Sequence, residues 1–82
     1  MTITLLYFAA VRDLVGAGEE RLELPADVRT VAELAAHLAV VHPSLAGRLA
    51  SVRFARNEEF ASSEDLLADQ DTVALIPPVA GG

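Results

Sequence analysis

The residues with the clearest chemical meaning stand at the end of the sequence, where Ile76 runs into Pro77-Pro78-Val79-Ala80-Gly81-Gly82. Proline has no N–H for a ladder, so Pro77 and Pro78 stop a strand and favour an extended, solvated backbone. Gly81 and Gly82 carry no side chain and have the widest conformational range. At roughly 3.3 Å per residue, residues 77–82 reach at most about 20 Å. The expectation is a stiff stalk holding a slender carboxylate away from the globule, shaped to thread a narrow channel into another protein's active site. A frayed terminus is the plainer alternative, but Pro-Pro so close to a Gly-Gly end is hard to reconcile with it. A free carboxylate is a poor electrophile and must be activated before it carries anything. Adenylation by ATP gives a mixed anhydride, which sulfide can attack to leave a thiocarboxylate, and the carrier needs no cysteine for this.

The rest of the inventory excludes more than it offers. There is no cysteine, which removes disulfides, thiolate metal sites and catalytic thiols. There is no lysine, which removes P-loop phosphate chemistry, Schiff bases and any side-chain amine on which an isopeptide chain could grow. With His37 and His42 as the two histidines, most catalytic and metal constellations cannot be assembled, and no metal or bound cofactor is expected. On this inventory the chain is not an enzyme on its own. Six arginines against twelve acidic residues give a net charge of −6, without the concentrated basic face that nucleic acid binding needs. The acidic residues read as a soluble surface that also steers toward basic partners. No run of about 20 apolar residues exists, so no membrane span is expected. The first residues lack the basic start of a signal peptide and meet Arg12 early, which points to a cytoplasmic protein.

The elements that must position the tail follow from hydrophobic period. At 82 residues the chain is one domain, expected over 1–76, with 77–82 as a flexible extension. Residues 2–9 alternate as a half-buried strand, with Ile3, Leu5 and Tyr7 on one face and Thr2, Thr4, Leu6 and Phe8 on the other. Val11 to Val15 fits one helical turn stopped by Gly16, and residues 20–24 alternate again, so a hairpin is predicted. Thr30-Val-Ala-Glu33 is a capping box, and Val31, Leu34, Ala35, Leu38 and Val41 follow at helical spacing until His42-Pro43 ends the helix. Residues 52–56 predict a third strand, Asn57-Glu58 a turn and Glu59 to Ala61 a short strand. Ser63 to Leu67 predicts a single helical turn, Asp69 to Asp71 a tight turn and Thr72 to Ile76 a last strand. One main helix covers only one face of a sheet, so the fold class is α+β, a mixed sheet of four to five strands with the first and last as central neighbours.

That arrangement proposes a docking face. If the helix covers the side of Ile3 and Leu75, then Phe8, Phe60 and Ile76 stand on the open face, where exposed apolar groups mark an interface unless loops bury them. Arg12 is a candidate polar contact at its rim, or an exposed arginine paired with Asp13 or Glu19. His37 and His42 read as solvated or satisfied histidines rather than ligands.

The order of elements and the Gly-Gly end resemble the β-grasp, ubiquitin-like sulfur carriers. FAAVRDLVG, TVAELAAHLAVVHPSL and LADQDTVALIPPVAGG are similar to the MoaD-type small subunits of molybdopterin synthase, within the MoaD/ThiS family. The most specific part is the strand running into PPVAGG. One departure is Gln70, where the family's tight turn usually has glycine, which predicts strain there. The resemblance implies that an E1-like adenylyltransferase consumes ATP to activate the Gly82 carboxylate, which becomes a thiocarboxylate. It implies docking on a large subunit, in a heterotetramer of two large and two small subunits, with Pro77 to Gly81 inserted in that partner's active site. The sulfur would convert cyclic pyranopterin monophosphate to molybdopterin, with the catalytic groups on the large subunit. It also favours the partner-facing reading of Phe8, Phe60 and Ile76. The alternatives are a sulfur carrier for thiamine or cysteine synthesis, whose members share Gly-Gly but typically lack the preceding Pro-Pro, and a ubiquitin-like protein modifier.

Overall fold

The computed structural model describes residues 1–78, so the expectations for Val79, Ala80, Gly81 and Gly82 lie outside the described residues. Strand β1 (Thr2–Tyr7) keeps the predicted alternation, with Ile3, Leu5 and Tyr7 buried. Phe8 stays extended at φ −124°, ψ 149° and becomes the N-cap of α1 (Ala9–Val15). That helix begins at Ala9 rather than Val11, because Ala9 takes a left-handed φ of 49° and turns the chain out of the strand at once. Gly16, at φ 89°, ends α1 and donates its N–H to the Arg12 carbonyl at 2.8 Å. Strand β2 (Glu19–Glu23) then returns antiparallel to β1, and Leu24 enters the core just beyond it.

Helix α2 (Val31–Val41) starts on the predicted capping box. Thr30 Oγ1 accepts from the Glu33 N–H at 3.2 Å, and Glu33 Oε1 accepts from the Thr30 and Arg29 N–H groups at 3.0 Å each. Val31, Leu34 and Leu38 are buried and Ala35 is half-buried, but Val41 is 37% exposed and does not belong to the stripe. Beyond Leu38 the core is filled by Leu45, fully buried in the 3₁₀ turn Pro43–Leu45. After a second such turn, β3 (Arg53–Arg56) and β4 (Glu59–Ala61) form a hairpin through Asn57 and Glu58, both left-handed at φ 50° and 72°, as a two-residue type I′ turn requires.

Residues 63–67 are not the helical turn that the sequence predicts. The Ser63 and Asp65 carbonyls accept instead from the Ala32 and Val31 N–H groups at 2.9 and 3.1 Å, and Leu66 bridges Thr30. The free amides at the start of α2 pull this segment open. Strand β5 (Thr72–Ile76) completes a sheet of order β2-β1-β5-β3-β4, parallel between β1 and β5 and antiparallel elsewhere. The tight turn before β5 holds Gln70 at φ 69°. It is secured by Asp71, which is buried and accepts from the Ala68 N–H at 2.8 Å, Asn57 Nδ2 at 2.9 Å and Arg56 Nη1 at 3.3 Å. Helix α2 packs on the face carrying Ile3, Leu5, Val73 and Leu75, which leaves the other face of the sheet open.

Candidate functional site

Strand parity decides which side chains reach the open face. Thr72, Ala74 and Ile76 of β5 alternate with the buried Val73 and Leu75, so they point away from α2. Ala55 is paired with Ala74 on one side and with Phe60 on the other, which brings Phe60 to the same face. Leu6 sits beside Ala74 in the parallel ladder, and Phe8, two residues on, continues that row because its backbone is still extended.

The result is a shallow concavity of about 610 Å³, lined mainly by Leu6, Phe8, Ala55, Phe60, Ala74 and Ile76. Large apolar groups stand at its margin and small ones form its floor. Phe8 is 46% exposed and Phe60 62%, in a chain where Ile3, Leu5 and Leu75 are fully buried. An apolar hollow of this kind, rimmed by polar residues such as Asn57 and Glu58, suits a protein surface better than a small polar substrate. The structure thus brings together three of the sequence-predicted residues: Phe8, Phe60 and Ile76. It does not bring Arg12 to the lining. Arg12 lies exposed on α1 and, among the described residues, forms no ion pair with Asp13 or Glu19. Pro77 and Pro78 follow Ile76 directly, and the ladder stops there. Pro77 therefore leaves the sheet at the edge of the concavity.

Sequence reasoning missed Arg53. It is opposite Ile76 in register, shares the open face, and places its guanidinium carbon 4.1 Å from the centre of the Phe60 ring. Its parity with Ala55, against Val52 and Phe54, was a signal that could have found it.

A second polar group lies apart from this face. Tyr7 Oη donates to Glu20 Oε1 at 2.7 Å, and His42 Nε2 lies 2.8 Å from the same oxygen, so β1, β2 and the end of α2 meet at one carboxylate. Burial and the bond to Glu20 push the Tyr7 hydroxyl well above its ordinary range. Burial would raise Glu20 too, but the hydrogen bonds from His42 and Tyr7 outweigh it and hold the carboxyl below its usual value. His42 is thus a satisfied histidine, and among the described residues no group of three or more His, Cys, Asp or Glu is placed to hold a metal.

A family model described as the ThiS family matches residues 5–82. This chain belongs to the ThiS family. Within that family, it is 38% identical over 84 residues to the molybdopterin synthase sulfur carrier subunit of Chlamydomonas reinhardtii, covering all of both chains. It is 39% identical over 82 residues to the protein of the same name from Escherichia coli K12, covering 98% of this chain and 99% of that one. Among solved structures, SAMP1 from Haloferax volcanii, a small archaeal modifier protein, superimposes with a TM-score of 0.86 at 28% identity over the full length of both chains. The fold of this ThiS-family chain is the β-grasp, with a five-stranded mixed sheet and two α-helices among the described residues.

Proposed function

We propose that this chain is the sulfur carrier subunit of a molybdopterin synthase and that Gly82 carries the sulfur. One observation carries the reading on the structural side: the apolar concavity and the root of the Gly-Gly segment share β5, so a partner seated on the face receives the tail. The full-length similarity to two proteins named for this role supports it.

In this reading an E1-like adenylyltransferase binds the carrier first. The Gly82 carboxylate attacks the α-phosphorus of ATP, pyrophosphate leaves, and the acyl adenylate that results is a good electrophile. Sulfide then attacks the acyl carbon, forming the C–S bond as the bond to AMP breaks, and leaves the thiocarboxylate. The loaded carrier docks through Phe8, Phe60 and Ile76 on the large subunit, in a heterotetramer of two large and two small subunits. Pro77 to Gly81 enter that subunit's active site, where its own groups catalyse sulfur transfer to cyclic pyranopterin monophosphate. The carrier contributes position and cargo. It binds no cofactor, and the ATP is consumed by its activating partner.

The test removes the reactive atom without touching the core. Deleting Gly82, or extending the chain beyond it, is expected to stop both loading and pterin conversion while the thermal midpoint stays nearly unchanged. A truncated carrier that still delivers sulfur would overturn the reading. The likeness to an archaeal modifier protein favours a second reading, ligation of Gly82 to lysines of other proteins. Intact-mass measurement on protein from its native host separates the two, since a thiocarboxylate shows oxygen exchanged for sulfur and ligation shows conjugates.

A further inference from the structure

We infer that Arg53 is a specificity-determining contact, a preoriented cation at the base of the tail that receives an aspartate or glutamate carboxylate of the docking large subunit. The inference deepens the sulfur-carrier reading and rests on it.

Three observations converge on Arg53. Its backbone is opposite Ile76, the last residue of β5, so the cation stands next to the point where Pro77 leaves the sheet. Its guanidinium lies over the Phe60 ring at 4.1 Å, which places it against one wall of the concavity. Arg53 and Phe60 are diagonal neighbours across β3 and β4, a distance that long side chains span. Among the described residues, moreover, Arg53 has no ion pair. The other arginine on this face, Arg21, already donates to Thr4 and Gln70, and Arg56 is committed to Asp71.

Stacking on a ring uses the face of the guanidinium and leaves its N–H edges pointing outward, where a carboxylate can be gripped by two parallel hydrogen bonds. The ring also fixes the side chain in advance, so less rotamer freedom is lost when a partner arrives. With a net charge of −6, the molecule repels acidic surfaces at long range. An unpaired cation fixed on one wall of an apolar hollow therefore gives register: it rewards the one approach that puts an acidic side chain over the tail root. That geometry selects among docking poses and partners rather than adding general affinity.

The experiment titrates the large subunit of the synthase from the same organism with intact carrier by calorimetry, at low and at moderate salt. The carriers are wild type, Arg53→Gln, Arg53→Glu, Arg53→Lys and, as a control for net charge, Arg29→Gln on the opposite side of the fold. Arg53→Gln is expected to weaken binding about tenfold, with a shallower salt dependence, and Arg53→Glu to weaken it further. Arg53→Lys is expected to fall between, because it keeps the charge but loses the fork. Arg29→Gln is expected to bind as wild type, and denaturation midpoints are expected to be the same throughout. Wild-type affinity in Arg53→Glu would overturn the inference, as would an equal loss in Arg29→Gln. Normal docking of Arg53→Gln combined with poor adenylation would also overturn it, by assigning the cation to a nucleotide phosphate in the activating enzyme. Failure of the wild-type carrier itself to bind would instead remove the sulfur-carrier reading, and this inference with it.

Discussion

Phe8 sits where strand β1 becomes helix α1, and its side chain takes the open face while its neighbour Tyr7 takes the core. With nearly half its surface exposed, it has little to lose in folding and much to bury on docking. Phe8→Ala is expected to cost at least ~2 kcal/mol of binding to the large subunit, about thirtyfold in affinity. Denaturant unfolding of the same variant is expected to shift by less than ~1 kcal/mol, well short of the ~3–5 kcal/mol of a core phenylalanine. Calorimetry and unfolding curves check the two halves separately. Gln70 illustrates the converse, a residue whose cost lies in its backbone. At φ 69° it occupies a left-handed conformation, which costs a residue with a Cβ roughly 1–2 kcal/mol. Its side chain recovers part of that through exposed bonds with Arg21 and Asp69. Gln70→Gly is expected to raise stability by about 0.5–1 kcal/mol, seen as a higher denaturant midpoint with unchanged slope.

At the scale of elements, the start of α2 is held from two sides. The capping box satisfies the Glu33 and Thr30 amides, and the 62–67 segment supplies carbonyls to Val31 and Ala32. Thr30→Ala is expected to cost about 1–2 kcal/mol, toward the upper end because the segment bridged to Thr30 loosens with it. Urea unfolding measures the loss, and faster hydrogen exchange at Val31 and Ala32 would place it. These elements also show what could be read in advance. The strands, to within two residues at their ends, the cap at Thr30, the stop at Gly16 and the turn at Asn57-Glu58 are local patterns that their own residues set. The 63–67 segment departs from its local helical pattern because its conformation answers to amides more than thirty positions earlier. Val41 fits the helical period but stays partly exposed, while Leu45 of the following turn is fully buried, and no periodicity carries that information. On the open face, Phe8 and Ile76 follow from parity, and Phe60 from its place on the short strand after the charged turn. Arg53 has the same parity, but an arginine in a strand reads first as solvated. The Tyr7, Glu20 and His42 meeting joins residues up to 35 positions apart and leaves no motif.

For the molecule as a whole, charge and topology set the limits of stability. Glu20, Glu33, Asp69 and Asp71 all sit below their ordinary values of 4.5 for the glutamates and 3.8 for the aspartates. In Asp71 burial works against this, but the bonds from Ala68, Asn57 and Arg56 prevail. A carboxylate depressed in the folded state contributes its full stability above its unfolded pKa and loses it as pH falls through the folded one. The stability of the chain is therefore expected to hold above pH 4.5 and to decline below it, more steeply under pH 3.8. Urea midpoints across that range check this, and Asp71→Asn should show a shallower acid decline from a lower starting point. Tyr7 acts at the other extreme: its raised hydroxyl means stability is lost above pH 10.0, where the unfolded chain releases a proton that the folded one keeps. Topology acts through time. Because β5 stands between β1 and β3, a chain emerging from the ribosome carries two apolar strands with unpaired edges until residue 76 has been made. A chain broken off before β5 has no sheet centre and offers Ile3, Leu5 and Phe54 to proteases instead of burying them. The last strand to be synthesised is thus the keystone of the sheet as well as the root of the tail, so a chain that stops short of β5 lacks the packed core and the segment that follows it together.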